Sequence, residues 1–283
     1  MSARYTEVKQ NDFACHTSDW LKNMPYATET PEYKNPRVTV EKRSLGELQP
    51  DEIRVQMLYT GICGTDVHFT ETNPSTCYIR SSAPANIPAE GRIIGHEGVG
   101  RILSTGTNVQ HLQAGAIVAF ESIIVCYHCE ACRKGNFNQC HHAVLLGMEK
   151  DGLFRTIADV PAILAHDVSA VIKTDNDLKA AACIEPAAVA YVACQSAKVQ
   201  CGHDVAVFGA GPIGLFAAML SKMIFGASRV HIVEPIAFRR ESPKQWCHHV
   251  YKWRSFLPIR LKELMWWLKL PVFWKILIES SGI

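Results

Sequence analysis

The sequence has few of the features that indicate export or a nucleic-acid partner. Residues Met1 to Lys22 contain no apolar run of signal-peptide length, so we do not expect export. The formal net charge is only +2, which gives no reason to expect a nucleic acid or an acidic surface as partner. We find neither an internal repeat nor a low-complexity segment. These features favour a cytoplasmic globular protein.

Disulfides are also unexpected, although the chain has eleven cysteines. Without a signal peptide the thiols belong in a reducing compartment, where clustered cysteines indicate metal binding rather than a disulfide framework. The chain has 283 residues, of which 48% are apolar and 20% charged. This length and composition are sufficient for two globular domains with separate cores.

Four cysteines stand close together near the middle of the chain, at spacings of three, three and eight residues: Cys126, Cys129, Cys132 and Cys140. Thiolates this close repel one another, and a tetrahedral Zn²⁺ ion both neutralises and orders them. The alternatives are a disulfide pair or free thiols. Because four ligands complete a tetrahedral shell, we predict a structural zinc site that leaves the chemistry to other residues.

A second group of metal-ligand residues comes from two glycine-flanked turns. Cys63, His96 and Glu97, if brought together, would form an open zinc site with a free position for water or substrate. Taken singly, Cys63 also fits a small core residue, and His96 a core histidine with satisfied hydrogen bonds. Glu185 is the one charge in an apolar helical run, and is either a carboxylate at a helix end or a metal ligand.

A glycine-rich motif follows Asp204 to Phe208, which has the pattern of a buried parallel strand. A helix from about Leu215 and a second strand, Arg229 to Val233, come after it, and this context makes the motif a dinucleotide fingerprint. Its residues are Gly209, Gly211, Pro212, Ile213 and Gly214. The glycines let the backbone approach a pyrophosphate, which binds at the helix N-terminus.

Glu234 ends the second strand, 20 residues after Gly214. Its carboxylate would accept hydrogen bonds from the ribose hydroxyls and repel a 2′-phosphate, so the sequence favours NAD. Arg239 and Arg240 stand close enough in sequence to pair with that phosphate, which leaves NADP open.

Together these motifs resemble the zinc-dependent medium-chain alcohol and polyol dehydrogenases from about Arg37 to Val250. The resemblance implies a fold of class α/β plus β: a GroES-like, β-rich catalytic domain, then an incomplete Rossmann domain with a doubly wound parallel sheet. The active site would lie between the two domains. The expected limits are an N-terminal extension at 1–36, the GroES-like domain at 37–186, the partial Rossmann domain at 187–250 and an aberrant tail at 251–283.

The resemblance also implies the ligands of a catalytic zinc. It identifies Cys63 and His96 as ligands, with Glu97 and Glu185 supplying the remaining oxygen. A glutamate at 185 is similar to the sorbitol, glucose and threonine dehydrogenase branch, whereas the classical alcohol dehydrogenases have cysteine there. With the four-cysteine site, the resemblance implies two zinc ions per subunit.

Three residues of one turn match the family's proton-transfer residues. Thr65 matches the hydroxyl that bonds the substrate oxygen, His68 a proton-relay histidine, and Asp66 a partner that orients the zinc-ligating imidazole. The implied reaction moves a hydride from a secondary alcohol or polyol to NAD(P)⁺. The alternative is an inactive, truncated remnant that binds zinc without turnover.

The implied partner is a small-molecule alcohol or polyol, with neither a nucleic acid nor a membrane involved. Family members form homo-oligomers through a Rossmann edge strand that we do not find in this sequence. A basic, tryptophan-rich C-terminus is also compatible with a helix on a membrane surface, although Pro258 and Pro271 would cut such a helix short.

The tail after Tyr251 departs from the family pattern, and we expect a truncated or frameshifted gene product. Met265, Trp266 and Trp267 each have a single codon, so reading these bases one position earlier forces two consecutive valines. Carried from Trp253 to Val272, the shifted frame permits a segment GIDVVVEASG, which resembles a later Rossmann strand of the family. We therefore expect the remainder of the sheet to be missing and turnover to be low or absent.

Overall fold

The computed structural model describes residues 4–12, 36–70, 91–241, 247–252 and 276–279. The chain divides into two compact units, Met1–Glu185 and Pro186–Ile283. Among the described residues, none of the helices is long and apolar enough to cross a membrane.

The first unit is rich in short β-strands. Its strands are β1 (Arg4–Asp12), β2 (Pro36–Ser44), β3 (Glu52–Gly61), β4 (Arg92–Ile93), β5 (Glu97–Thr105), β6 (Ile117–Phe120), β7 (Ile123–Ile124), β8 (Val144–Leu145), β9 (Ile157–Pro161) and β10 (Ala165–Asp167). Its helices are α1 (Gly64–Thr70), α2 (Glu130–Arg133) and α3 (Asp175–Ala181), with 3₁₀ turns at Phe137–Gln139, Ala162–Leu164 and Ser169–Val171.

The core of this unit lies on a five-stranded antiparallel sheet in the order β10-β6-β5-β3-β9. Alternate side chains of β3 and β9 are buried, as expected for strands with one face on a core. The fully buried members include Ile53, Val55, Ala158 and Val160. Around this sheet, β2, β1 and β4 form a three-stranded sheet, and β7 pairs with β8 in a two-stranded ribbon.

The second unit has α-helices α4 (Ile184–Ser196, which begins at the unit boundary) and α5 (Pro212–Met223). Its strands are β11 (Asp204–Phe208), β12 (Arg229–Val233), β13 (His249–Tyr251) and β14 (Ile276–Glu279), in the sheet order β13-β12-β11-β14. The first three are parallel, and β14 is antiparallel to β11. Buried aliphatic side chains of β11 and β12 pack with alanines of α5 in one core cluster.

The strand–helix–strand prediction for residues 204–233 is confirmed, with the helix beginning at Pro212 rather than near Leu215. Within the predicted N-terminal extension at 1–36, Arg4–Asp12 forms a strand that is paired along its length with Pro36–Ser44. Backbone pairing with a distant β-rich segment accounts for this, and a polar local sequence gives no sign of it.

The tail is only partly described. Trp253 to Val272, on which the expectation of a shifted frame rests, lies outside the described residues. Ile276–Glu279, also within 251–283, is the strand β14.

Candidate functional site

The four-cysteine segment forms a closed lobe of the first unit. The β7–β8 ribbon brings its two ends together through the pairs Ile123–Leu145 and Ile124–Val144. Cys129 immediately precedes α2, and Cys140 follows a 3₁₀ turn. These short elements bring the sulfur atoms of the four cysteines within 4.8 Å of one another.

The sulfur geometry fits zinc and not a disulfide. Cys126 Sγ and Cys132 Sγ lie 4.0 Å apart, and the described cysteines are all free thiols. A tetrahedral zinc with bonds of about 2.3 Å separates its sulfurs by about 3.8 Å, whereas a disulfide needs about 2 Å. A zinc ion with these bond lengths therefore fits among the four thiols.

Backbone amides in the lobe are aimed at sulfur. The Cys129 N–H donates to Cys126 Sγ at 3.3 Å, and the Cys126 and His142 N–H groups each donate to Cys140 Sγ at 3.4 Å. The backbone amides of Cys132 and His141 lower the pKa of the Cys129 thiol, and the Cys126 amide lowers that of Cys140. Amides that stabilise thiolates prepare the lobe for a cation.

A second cluster contains Cys63, His96 and Glu97, whose ligand atoms also lie within 4.8 Å of one another. Cys63 follows β3, while His96 immediately precedes β5 and Glu97 begins it. His96 and Glu97 are each 7% exposed and Cys63 is half-buried, and a thiol, an imidazole and a carboxylate are the chemistry that zinc binds. The structure brings together three of the four residues predicted for this site.

Asp66 fixes the geometry of this second cluster from within α1. Its carboxylate is 2% exposed and accepts hydrogen bonds from the Cys63 N–H at 2.9 Å and the Gly95 N–H at 3.2 Å. The Asp66 Oδ1 atom, which accepts the Gly95 N–H, also lies 3.8 Å from His96 Nδ1. This imidazole nitrogen is buried and has no hydrogen-bond partner. Asp66 therefore faces one ring nitrogen without a hydrogen bond to it, and the other nitrogen lies on the side of Cys63 and Glu97.

The charges in this cluster favour a cation. Burial acts to lower the pKa of His96, but its contact with Cys63 and the charges of Asp66, Cys63 and Glu185 raise it to about 9. Burial also raises the pKa of Glu97, which the charge of His96 opposes. A positive charge is thus stabilised at this point in the fold, and a metal ion would take the place of the proton.

Glu185 lies in the first turn of α4 and is outside the group of atoms that lie within 4.8 Å. Its Oε1 accepts a hydrogen bond from Ser122 Oγ at 2.7 Å. The charge of Glu185 nevertheless contributes to raising the pKa of both His96 and Glu97. Ser122 has no part in any sequence motif and was missed; a small polar residue before the apolar pair of β7 is too common a pattern to identify it.

The predicted proton-transfer residues follow Cys63 in α1. Thr65 is half-buried in the first turn of this helix. His68 is one turn further along the same helix, and its side chain lies outside the described part of the structure.

The glycine-rich motif in the second unit joins β11 to α5. Gly209 has φ +106°, a conformation that favours glycine, and a Cβ on Gly214 would collide with the Gly209 carbonyl oxygen. Gly211 is the N-cap of α5, Pro212 begins the helix, and Ile213 follows. No side chain caps this helix end, so its amides are available to an anion such as a pyrophosphate.

Glu234 follows β12 and is 2% exposed. Its Oε2 accepts from the Ala210 N–H at 2.6 Å, and its Oε1 from the Ile236 N–H at 2.7 Å, so the carboxylate is tied to the glycine-rich loop. Arg240 donates to the carbonyl oxygens of Glu234 and Pro235 at 2.9 and 2.7 Å.

Arg239, predicted as a cofactor-binding residue, lies one position before Arg240 in the 3₁₀ turn after β12. Its guanidinium is 5.7 Å from the ring centroid of the exposed Phe238. The two neighbouring arginines therefore have different partners, backbone carbonyls for Arg240 and an aromatic ring for Arg239.

Residues 49–170 match the family described as the alcohol dehydrogenase GroES-like domain. The chain is 35% identical over 198 residues to an L-arabinitol 4-dehydrogenase of Aspergillus oryzae, covering 69% of this chain and 48% of that protein. It is 33% identical over 211 residues to an L-threonine 3-dehydrogenase of Caldanaerobacter subterraneus, covering 74% of this chain and 56% of that protein. The chain therefore spans about half the length of the curated relatives it matches.

Solved structures agree with these sequence matches. An alcohol dehydrogenase of Thermus sp. ATN1 superposes with a TM-score of 0.67 at 26% identity, covering 80% of this chain and 64% of that one. The chain belongs to the medium-chain dehydrogenase family. The predicted fold class, a GroES-like domain followed by a partial Rossmann domain, is confirmed.

Proposed function

We propose that this chain provides the zinc-binding and dinucleotide-binding parts of an oxidoreductase that transfers a hydride from a secondary alcohol or polyol to NAD⁺. The observation on which this depends is the cluster of half-buried Cys63 with buried His96 and Glu97, beside Asp66. A structural site needs four protein ligands, whereas three leave a position open for substrate. The four-cysteine lobe supplies the closed site separately, so we propose two zinc ions per subunit.

Bound at the open site, zinc would supply a Lewis acid for the substrate oxygen, and the nicotinamide would accept the hydride. The residues of the chain position the metal ligands and the groups that transfer the substrate proton. Asp66 holds the Cys63 backbone and faces the His96 ring, so both ligands keep one orientation. Thr65 Oγ1 would accept the proton of the substrate hydroxyl as its own proton passes towards His68, one turn along α1, and on to solvent.

We further propose NAD rather than NADP as the cofactor. The buried Glu234 carboxylate is oriented by two backbone amides at the end of β12, where the ribose of a bound dinucleotide lies. A fixed carboxylate accepts from ribose hydroxyls and repels a 2′-phosphate. Arg240 donates to the backbone carbonyls beside Glu234.

The relatives suggest the substrate class. They are named L-arabinitol 4-dehydrogenase, L-threonine 3-dehydrogenase and sorbitol dehydrogenase, whose names refer to two polyols and a hydroxy amino acid. We propose that the substrate of this chain is a small-molecule alcohol or polyol. We further propose that the protein acts in the cytoplasm.

The experiment that tests this function is a screen for NAD⁺ reduction over polyols, amino alcohols and simple secondary alcohols, together with metal analysis of the same preparation. Two zinc ions per chain and turnover of at least one substrate class are expected. Two zinc ions without any turnover would favour the alternative of a zinc-binding remnant, and the absence of zinc would contradict both.

A further inference from the structure

A buried serine that belongs to no recognised motif holds the one predicted metal-site carboxylate that stands outside the ligand cluster. Ser122 is 6% exposed and lies between β6 and β7. Its Oγ donates to Glu185 Oε1 at 2.7 Å, although the two residues are 63 positions apart. A buried hydroxyl requires a partner, and its bond to a carboxylate is stronger than one between neutral groups.

This hydrogen bond restricts where the Glu185 carboxylate can point. With Oε1 engaged by Ser122, the carboxylate cannot turn freely, and Oε2 is left for other partners. Ala181 and Ala182, which precede α4, share one core cluster with Val99 of β5, two residues after Glu97. Glu185 in the first turn of α4 is therefore held beside the strand that carries Glu97. A carboxylate in that place stabilises a divalent ion held by the three inner ligands.

The backbone of Ser122 connects the same point to the four-cysteine lobe. Its carbonyl oxygen accepts the Leu146 N–H at 2.9 Å, immediately outside the β7–β8 ribbon that closes the lobe. Leu146 is fully buried in the core of the first unit. The hydroxyl that meets Glu185 is thus presented by a backbone fixed both by the core and by the root of the lobe.

We propose that Ser122 is a positioning residue, which holds the Glu185 carboxylate beside the Cys63, His96 and Glu97 cluster and thereby strengthens zinc retention at the open site. This assignment rests on the proposed function, since it assumes that the cluster binds zinc. It gives Glu185 the role of an outer carboxylate rather than that of a fourth ligand, and it assigns a function to a residue outside every motif of the sequence.

The test measures zinc rather than turnover. Zinc-loaded parent and Ser122→Ala chains are exposed to a chromophoric chelator, and zinc release is followed in time. We expect the more labile of the two zinc ions to be released on the order of 10-fold faster from Ser122→Ala than from the parent. This factor is the lower end of the range for residues that support metal ligands. The four-cysteine zinc should be released as in the parent.

Two further variants separate positioning from general packing. Ser221→Ala removes another fully buried serine hydroxyl, in the second unit, and should release zinc as the parent does. Ser122→Thr keeps the donor and should also retain zinc. In a Glu185→Ala background, Ser122→Ala should have no additional effect, because its partner is already absent.

The outcomes that overturn the assignment are equally specific. Parent-like zinc retention in Ser122→Ala would do so, as would an undiminished effect of Ser122→Ala in the Glu185→Ala background. A folded Ser122→Thr chain that loses the labile zinc on the order of 10-fold faster than the parent would also do so. This comparison with the parent remains if the alanine variant does not fold. A parent that holds two zinc ions but reduces no NAD⁺ contradicts only the proposed enzyme function.

Discussion

The carboxylate of Glu97 occupies the space that a Cβ on Gly61 would need. The two residues are partners in the antiparallel β3–β5 ladder, Gly61 at the end of one strand and Glu97 at the start of the other. Two register shifts, between Arg54 and Val55 and between Met57 and Tyr59, offset each other along β3 and together set this pairing. The glycine therefore allows the Glu97 side chain to lie across the neighbouring strand, towards Cys63 and His96.

Replacing Gly61 by alanine should weaken zinc binding at the open site. The added methyl group displaces the Glu97 carboxylate, and we expect the labile zinc to be held at least about 10-fold less tightly, as for other changes that disorder a ligand. Chelator competition measures this. Gly46→Ala is the matched control, since nothing lies within 4 Å of a Cβ at Gly46. Equal zinc retention in both variants would show that Glu97 does not contribute.

Replacing Cys129 by serine should remove one zinc together with stability. Its sulfur belongs to the four-thiol cluster, and the binding energy of a structural zinc is folding energy. We expect one zinc fewer by metal analysis and a fall in Tm of at least about 5 °C, since several kcal/mol are lost. Cys201→Ser, at an exposed thiol in the second unit, is the control. An unchanged metal content in Cys129→Ser would contradict the closed site.

Replacing His96 by alanine should remove the other zinc while the fold survives. The imidazole is buried beside Asp66, but the sheet core around Ile53 and Val55 does not depend on it. Metal analysis should give one zinc per chain, and circular dichroism should match the parent. A parent chain with a single zinc that persists in His96→Ala would refute the two-site hypothesis.

The parts of the site that could be predicted from sequence are those built from short local segments. The four cysteines span residues 126–140, so their spacing alone indicates that they bind one metal ion. The glycine-rich motif is likewise local, because a strand, a tight loop and a helix in direct succession define its geometry. Here sequence separation is small and the backbone leaves few alternatives.

The parts that could not be predicted depend on pairing between distant segments. The hydrogen bond from Ser122 to Glu185 joins two turns 63 residues apart, and the Gly95 N–H reaches Asp66 across 29 residues. Whether Gly61 meets Glu97 depends on strand register, which a single shift changes for every later pair. Propensity and spacing contain no information on such contacts.

Cofactor choice should depend on Glu234. In Glu234→Ala, we expect NAD⁺ to bind about 10-fold or more weakly, because a hydrogen bond to a charged group is worth about 1.5–3 kcal/mol. The change also leaves the buried Ala210 amide without its carboxylate partner, so the glycine-rich loop loses order. The gap in affinity between NAD⁺ and NADP⁺ should narrow, since the charge that repels a 2′-phosphate is gone. Titration calorimetry of both cofactors at one fixed salt concentration measures these changes.

Arg239→Ala is the companion variant for the same measurement, because Arg239 is the predicted cofactor-binding cation after β12. Its guanidinium lies over the exposed Phe238 ring, from which it can move to a phosphate at small cost, whereas Arg240 would have to give up two backbone carbonyls. We therefore expect Arg239→Ala to weaken NADP⁺ more than NAD⁺. Equal affinity of the parent chain for the two cofactors would contradict the role of Glu234, and an Arg239→Ala chain with parental NADP⁺ affinity would remove Arg239 from the site.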